Sequence, residues 1–196
     1  MGAVVNPTQS FASPEFTILR IRLNLQIIDI EFYSIPIRKK TKTRKMSSLS
    51  ADQKQALDTQ AVNNFREYLQ IPSVHPDVNY DACVKFLEKQ AKSLGLPIKI
   101  VTITTGKPIV ILSWIGEEPE LPTILLNSHM DVVPVFEEKW TYGPFSAHVD
   151  DKENIYARGT QDMKSVGIQY LEAVRRLKQQ GIKLRRTVHI SFVPGI

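Results

Sequence analysis

Apolar residues recur at helical spacing in two consecutive segments that begin after residue 50. In the first segment these residues are Leu57, Ala61, Val62, Phe65 and Leu69. Ser50 and Gln53 precede it in the spacing of a capping box, and Ile71-Pro72 ends it. The second segment, from about Tyr80 to Leu94, is followed by Gly95, which is typical of a helix C-terminus. We therefore predict two amphipathic helices in this part of the chain.

Short β-rich runs separated by turn residues follow the two helices. A run from Ile98 to Ile103 and a run from Ile109 to Leu112 flank the turn Thr105-Gly106-Lys107. The uninterrupted apolar segment Ile124-Leu125-Leu126 predicts a fully buried strand. The segment from Thr187 to Val193 predicts the last strand of the sequence.

A third helix is predicted between the last two strands, over Met163 to Gln180. Its basic residues Arg175, Arg176 and Lys178 are interpreted as a solvated face of the helix and not as a binding patch. The element order is helix, helix, hairpin, strand, helix, strand. This order predicts the α/β fold class, with an α/β sandwich on a mixed sheet.

Residues 1–45 have a different pattern and are predicted to lie outside the domain, which we place at residues 46–196. Leu19 to Ile27 alternates apolar and polar residues with the period of a strand. A basic cluster from Arg38 to Lys45 precedes Met46. Three interpretations compete for this extension: a targeting segment, a disordered solvated tail, or a start codon assigned too far upstream of Met46. The last is favoured, and we expect deletion of residues 1–45 to improve solubility without affecting the fold.

The chain has a formal net charge of +5, and the location of this charge decides whether it indicates an anionic partner of the domain. Residues 1–45 contain eight Lys or Arg and three Asp or Glu, whereas residues 46–196 contain 17 of each sign. The predicted domain is thus neutral, which gives nucleic-acid binding no support. No apolar run reaches the roughly 20 residues of a membrane span. The single cysteine, Cys83, excludes an intramolecular disulfide framework and is expected to pack in the core.

Candidate chemistry lies where the strand at Ile124 ends and where the third helix begins. His129 and Asp131 follow the strand directly, and ligands of open α/β sheets bind at such carboxyl ends. A carboxylate two residues from an imidazole can orient it while the other ring nitrogen binds a cation. Asp162 stands at the start of the helix, where it is expected to cap the helix, bind a metal, or both. His75 and His189 are interpreted as a solvated loop residue and a sheet residue, and not as ligands.

The sequence ILLNSHMDVVPVF, followed by YARGTQDMKSVGIQYLEAVRRLK and SFVP, resembles one known family. This is the zinc aminoacylase and exopeptidase family, which includes acetylornithine deacetylase, succinyl-diaminopimelate desuccinylase and glutamate carboxypeptidases. The resemblance runs from about Gln60 to Pro194 and points to the aminoacylase branch.

The resemblance implies a co-catalytic site with two zinc ions. His129 would bind one zinc, Asp162 would bridge both, and Asp131 would belong to the catalytic machinery as the residue that orients His129. The implied reaction is hydrolysis of a small N-acyl-L-amino acid to a carboxylate and a free amino acid. A cytoplasmic enzyme that is homodimeric at full length, with no nucleic-acid or membrane partner, is expected. If the protein is an enzyme, the alternative to an aminoacylase is a dipeptidase or carboxypeptidase of the same superfamily.

This sequence departs from the pattern of the family at Gly195. In the family, the equivalent of SFVP is followed by an acidic residue and two glutamates, the first of which is the general base. The fold is therefore expected to be a truncated form of the family's α/β/α sandwich, with Ile190 and Phe192 partly exposed. The 196-residue chain is expected to be inactive alone, and a non-catalytic isoform or a gene-model fragment is the second alternative.

Overall fold

A computed structural model of the chain describes residues 15–24, 27–35 and 48–195. The helices are α1 (Ala51–Leu69), α2 (Asp81–Leu94) and α3 (Lys164–Gln179). The strands are β1 (Glu15–Asn24), β2 (Ile27–Ile35), β3 (Ile98–Thr104), β4 (Lys107–Trp114), β5 (Ile124–His129), β6 (His148–Val149), β7 (Ile155–Tyr156) and β8 (Val188–Val193). A short 3-10 helix, Glu137–Lys139, lies in the loop after β5.

The helix ends form where the sequence predicts them. The Ser50 hydroxyl accepts a hydrogen bond from the Gln53 backbone, and the Gln53 side chain accepts one from the Ser50 backbone, so the capping box is complete. Helix α2 ends at Gly95, whose φ of 60° is in the left-handed region that glycine adopts without strain. Within the described residues, no helix combines the length and apolar character needed to cross a bilayer.

A four-stranded mixed sheet forms the centre of residues 48–195, with the strand order β3-β4-β8-β5. Strands β3, β4 and β8 pair antiparallel, whereas β5 pairs parallel to β8. Helix α3 connects β5 to β8, as parallel neighbours require a crossover. The mixed-sheet α/β prediction is confirmed, and the described part shows helices packed against one face of this sheet.

Strand β5 is not the fully buried strand that its apolar run predicts. It is the last strand of the described sheet, and Leu125 and Ile124 are 64% and 45% exposed. Burial on both faces requires neighbouring layers on both faces, and a run of apolar residues does not reveal whether those layers exist. The prediction was therefore right about the strand and wrong about its burial.

The expected exposure of Ile190 and Phe192 is also wrong, because they are 1% and 0% exposed. Both residues lie on the face of β8 that packs against the helices. Their shared core contains residues from all three helices and from β4, including Tyr68, Leu87, Leu112 and Leu171. The middle position of β8, between β4 and β5, accounts for this burial.

The alternating segment near the N-terminus forms a hairpin. Strands β1 and β2 pair antiparallel, with Leu19 opposite Phe32 and Leu23 opposite Ile28. The strand period that the alternation predicts is confirmed. The basic cluster from Arg38 to Lys45 lies outside the described residues, and the boundary near residue 46 stays a prediction.

The basic residues of α3 do not form the solvated face that their sequence suggests. Arg175 is buried, and its guanidinium donates to Glu172, Gln90 and Ser93 at 2.8–2.9 Å. Asn64 of α1 donates to the second oxygen of Glu172 at 2.7 Å. This network joins all three helices, because α3 packs against both α1 and α2. Arg176 pairs with Asp58 nearer the surface.

We expect Arg175→Met to lower the free energy of unfolding by about 3–5 kcal/mol, because it leaves the buried Glu172 carboxylate without its cation. Arg176→Met is the matched control on the next residue of the same helix. Its partly exposed ion pair should contribute no more than about 1 kcal/mol. Urea denaturation of the two variants compares them, and equal losses would contradict this assignment of the network.

Candidate metal centre

The two predicted metal ligands, His129 and Asp162, meet in the structure. His129 is the last residue of β5, and Asp162 lies two residues before α3. Nε2 of His129 is 3.0 Å from Oδ1 of Asp162. The Asp162 side chain is 80% exposed, whereas the His129 side chain is 29% exposed. The end of a sheet strand and the start of a helix thus bring an imidazole and a carboxylate together at the protein surface.

The hydrogen bonds of His129 determine what Nε2 presents to Asp162. Nδ1 lies 3.1 Å from the backbone oxygen of Asp131, which can only accept, so the ring proton is assigned to Nδ1. In the neutral ring, Nε2 then carries a lone pair that faces the Asp162 carboxylate. Two acceptors at 3.0 Å repel each other unless a cation binds to both or the ring is protonated. The pair can therefore share either a proton or a metal ion.

Asp131 lies between two histidines. Its Oδ2 is 2.9 Å from Nε2 of His75, and its Oδ1 is 3.1 Å from Nδ1 of His129. The directed hydrogen bond of His129 goes to the backbone oxygen of Asp131, so the buried Oδ1 acts as a nearby negative charge without a directed hydrogen bond of its own. Asp131 therefore lies beside the ring nitrogen of His129 that is remote from Asp162.

The interpretation of His75 as a solvated loop residue is wrong. Its position results from pairing between the segment after α1 and the segment after β5, including a parallel bridge between Val74 and Val132. The His75 backbone donates to Val132, and the Ser73 hydroxyl donates to Met130. Residues separated by more than fifty positions form this pairing, so no local sequence signal places His75 beside Asp131.

Lys164 connects the same segment to the start of α3. Its side chain is fully buried, and its ammonium donates to the backbone oxygens of Tyr68 and Ile71 at 3.0 and 2.6 Å. The ammonium also lies 4.9 Å from the centre of the Tyr68 ring. Burial lowers the pKa of Lys164 to about 8. Because Lys164 is two residues from Asp162, these contacts position the helix start that carries the ligand.

Asp162 does not cap α3, which was one of its two expected roles. The N-cap residue is Met163, and it has no side-chain capping hydrogen bond. The Asp162 carboxylate instead faces His129. This geometry leaves the carboxylate oxygens available to a metal.

Imidazole and carboxylate are suitable zinc ligands, and two such ligands of one tetrahedral zinc lie about 3.4 Å apart. The 3.0 Å separation in the structure is close to that value. Among the described residues, no group of three or more His, Cys, Asp or Glu side chains is arranged to hold a metal. The described residues therefore fit one part of a metal site, contributed by His129 and Asp162.

The remaining candidates have the structural roles expected for them. Cys83 is buried in the shared core, and burial raises the pKa of its thiol. His189 lies within β8, and its Nδ1 is 2.8 Å from the Ser113 hydroxyl of β4.

Comparison with known proteins supports the class that the fold and the histidine-aspartate pair indicate. Residues 125–195 match the family described as Peptidase family M20/M25/M40. This match includes His129, Asp131 and Asp162. The chain belongs to this family of metallopeptidases and related amide hydrolases.

Its relatives within the family include aminoacylases. The chain is 53% identical to aminoacylase-1 of Mus musculus over 134 residues, which cover 68% of this chain and 33% of the relative. It is 48% identical to aminoacylase-1 of Dictyostelium discoideum over 137 residues, covering 70% and 33%. The chain thus spans about a third of the length of these relatives.

A solved structure extends the similarity to the fold. The M20 family metallo-carboxypeptidase Sso-CP2 of Sulfolobus solfataricus superposes with a TM-score of 0.60 and 27% identity, covering 68% of this chain and 30% of that protein. The mixed sheet and its helices are therefore those of an M20 peptidase domain.

Gly167 controls how closely α3 approaches β5 and β8, and its replacement should be destabilising. A Cβ at this position would lie 2.7 Å from the Phe192 ring and 3.1 Å from the Ser128 hydroxyl. We expect Gly167→Ala to cost about 1–3 kcal/mol through overpacking, reduced by up to about 1 kcal/mol of improved helix propensity. Thermal unfolding measures the effect. Gly143→Ala, whose Cβ would meet only ordinary contacts, is the control and should change stability less.

Proposed function

We propose that this chain contributes His129 and Asp162 to the zinc centre of an N-acyl-L-amino acid amidohydrolase. The observation that carries the proposal is the 3.0 Å approach of Nε2 of His129 to Oδ1 of Asp162 at the carboxyl end of a sheet strand. The aminoacylase-1 relatives support the choice of reaction within the family. The same metal chemistry would serve a dipeptidase or carboxypeptidase, but the identity to aminoacylases favours acylated amino acids.

Each residue has a separate task in this proposal. His129 presents the lone pair of Nε2, because its Nδ1–H donates to the Asp131 backbone. Asp162 presents an exposed carboxylate that can accept on several lone pairs. Asp131 places its carboxylate beside Nδ1 and so helps to orient the ring. Bound zinc would supply Lewis acidity and an activated water for attack on the acyl carbonyl.

The finer parts of the proposal extend the family resemblance. A pair of zinc ions is proposed because Asp162 has a second carboxylate oxygen available to a second metal. A homodimer, a cytoplasmic location and the absence of a nucleic-acid partner are proposed for the protein. The neutral balance of charge over residues 46–196 is in keeping with a small-molecule substrate and gives nucleic-acid binding no support.

Zinc binding by the 196-residue chain tests the metal centre. We expect His129→Ala and Asp162→Ala each to remove most of the zinc affinity measured by isothermal titration calorimetry, since each deletes a ligand. His189→Ala is the matched control, because that imidazole is bonded to Ser113 within the sheet. Asp131→Ala should reduce affinity by about 10 to 100-fold, as loss of an orienting carboxylate does. Unchanged affinity in both ligand variants would contradict the assignment.

A chimera tests the reaction. Residues 60–194 of this chain replace the matching segment of Mus musculus aminoacylase-1, and hydrolysis of N-acetyl-L-methionine is measured at saturating zinc. We expect the chimera to be active and its His129→Ala variant to lose activity, whereas His189→Ala should retain it. A folded chimera that binds zinc but remains inactive would refute the proposal that this segment supplies the ligands of an amidohydrolase.

A further inference from the structure

His75 makes a polar contact that the proposed function does not yet use. Its Nε2 lies 2.9 Å from Oδ2 of Asp131, and both side chains are mostly removed from solvent. The other oxygen of the same carboxylate lies 3.1 Å from Nδ1 of His129. The three side chains thus form the series His75, Asp131, His129, which ends at the Nε2 lone pair that faces Asp162.

The backbone around His75 is held without its imidazole. The Val74–Val132 bridge, the hydrogen bond from the His75 amide to Val132, and the Ser73 hydroxyl bond to Met130 fix this segment. Removing the ring should therefore leave the loop in place. The specific consequence of the ring is its hydrogen bond to Asp131, because an ionised carboxylate can only accept and the imidazole must donate.

The Asp131 carboxylate needs such a restraint. Its Oδ1 is buried and has no directed hydrogen bond, so rotation about the bond to the carboxylate is opposed mainly at Oδ2. The backbone of Gly195 packs closely on one side, since a Cβ there would lie 2.2 Å from Oδ2. His75 thus restrains the plane of the carboxylate, with one oxygen held beside His129.

We infer that His75 is a positioning residue of the metal centre, which donates Nε2–H to Oδ2 of Asp131 and thereby keeps Oδ1 of that carboxylate beside Nδ1 of His129. The effect on zinc rests on the proposed function, whereas the effect on the His129 ring does not require a metal. The outer partner of a metal-binding imidazole commonly changes metal affinity by about 10 to 100-fold, and His75 supports that partner.

Ring-nitrogen NMR of the metal-free, 15N-labelled chain provides the first test. The chain has only four histidines, so their signals can be assigned by substitution. In the wild-type protein we expect His75 protonated on Nε2 and His129 protonated on Nδ1. His75→Leu, which has no donor, should shift the His129 Nδ1 signal because the carboxylate beside that nitrogen is released, while the proton stays on Nδ1 through its bond to the Asp131 backbone. His75→Gln, whose amide can donate from about the same place, should restore the wild-type His129 signals.

Zinc affinity provides the second test, with thermal unfolding as a check on folding. We expect His75→Leu to weaken zinc binding by about 10-fold, His75→Gln to recover it, and the control His189→Leu to leave it unchanged.

An unprotonated Nε2 on His75 in the wild-type protein would overturn the inference. Wild-type His129 signals in a folded His75→Leu variant would overturn it as well. If His75→Leu does not fold, the wild-type tautomer and the His75→Gln spectra decide. A wild-type chain that shows both tautomers as expected but binds no zinc would refute the proposed function and leave the His75 inference standing.

Discussion

The candidate centre depends on the close approach of the start of α3 to the end of β5. Gly167 allows the helix to contact Phe192 and Ser128 without an intervening Cβ. Lys164 holds the same helix start from the other side through the backbone oxygens of Tyr68 and Ile71. Since Asp162 precedes this turn of helix and His129 ends the strand, the packing distance between the two elements also determines the distance between the two candidate ligands.

A buried polar network surrounds the ligands because backbone pairing excludes water there. The segment after α1 adds a short parallel pairing beside the residues that follow β5. This pairing buries Ser73 and Asp131, whose polar groups must then find partners inside the protein. Hydrogen bonding to Met130, His75 and His129 satisfies these groups except Oδ1 of Asp131, and it orients the candidate centre at the same time. Stability and the geometry of the candidate centre therefore depend on the same contacts.

The charged residues of α3 illustrate how packing reassigns side chains that look solvated. Arg175 is three residues from Glu172, a spacing that would form a modest surface pair on an isolated helix. In the structure, Asn64 and Gln90 from two other helices complete the network, and the pair is buried. A helix packed on two neighbours has little solvated surface, so its charges become part of the core. The exposed Leu125 of β5 is the opposite case, an apolar side chain left without a covering layer.

The sequence by itself indicated the three helices, the strands of the central sheet and the candidate ligands, because each has a local signal. Capping at Ser50, the left-handed Gly95, the turn at Gly106 and the polar end of β5 all depend on residues within a few positions of one another. The resemblance between motifs predicted that His129 and Asp162 belong to one site. In the structure, Nε2 of His129 lies 3.0 Å from Oδ1 of Asp162. Only the tertiary structure decided that β5 lies at the edge of the described sheet, that Arg175 is buried, and that His75 contacts Asp131. These facts depend on elements far apart in sequence, and periodicity does not encode which surfaces meet.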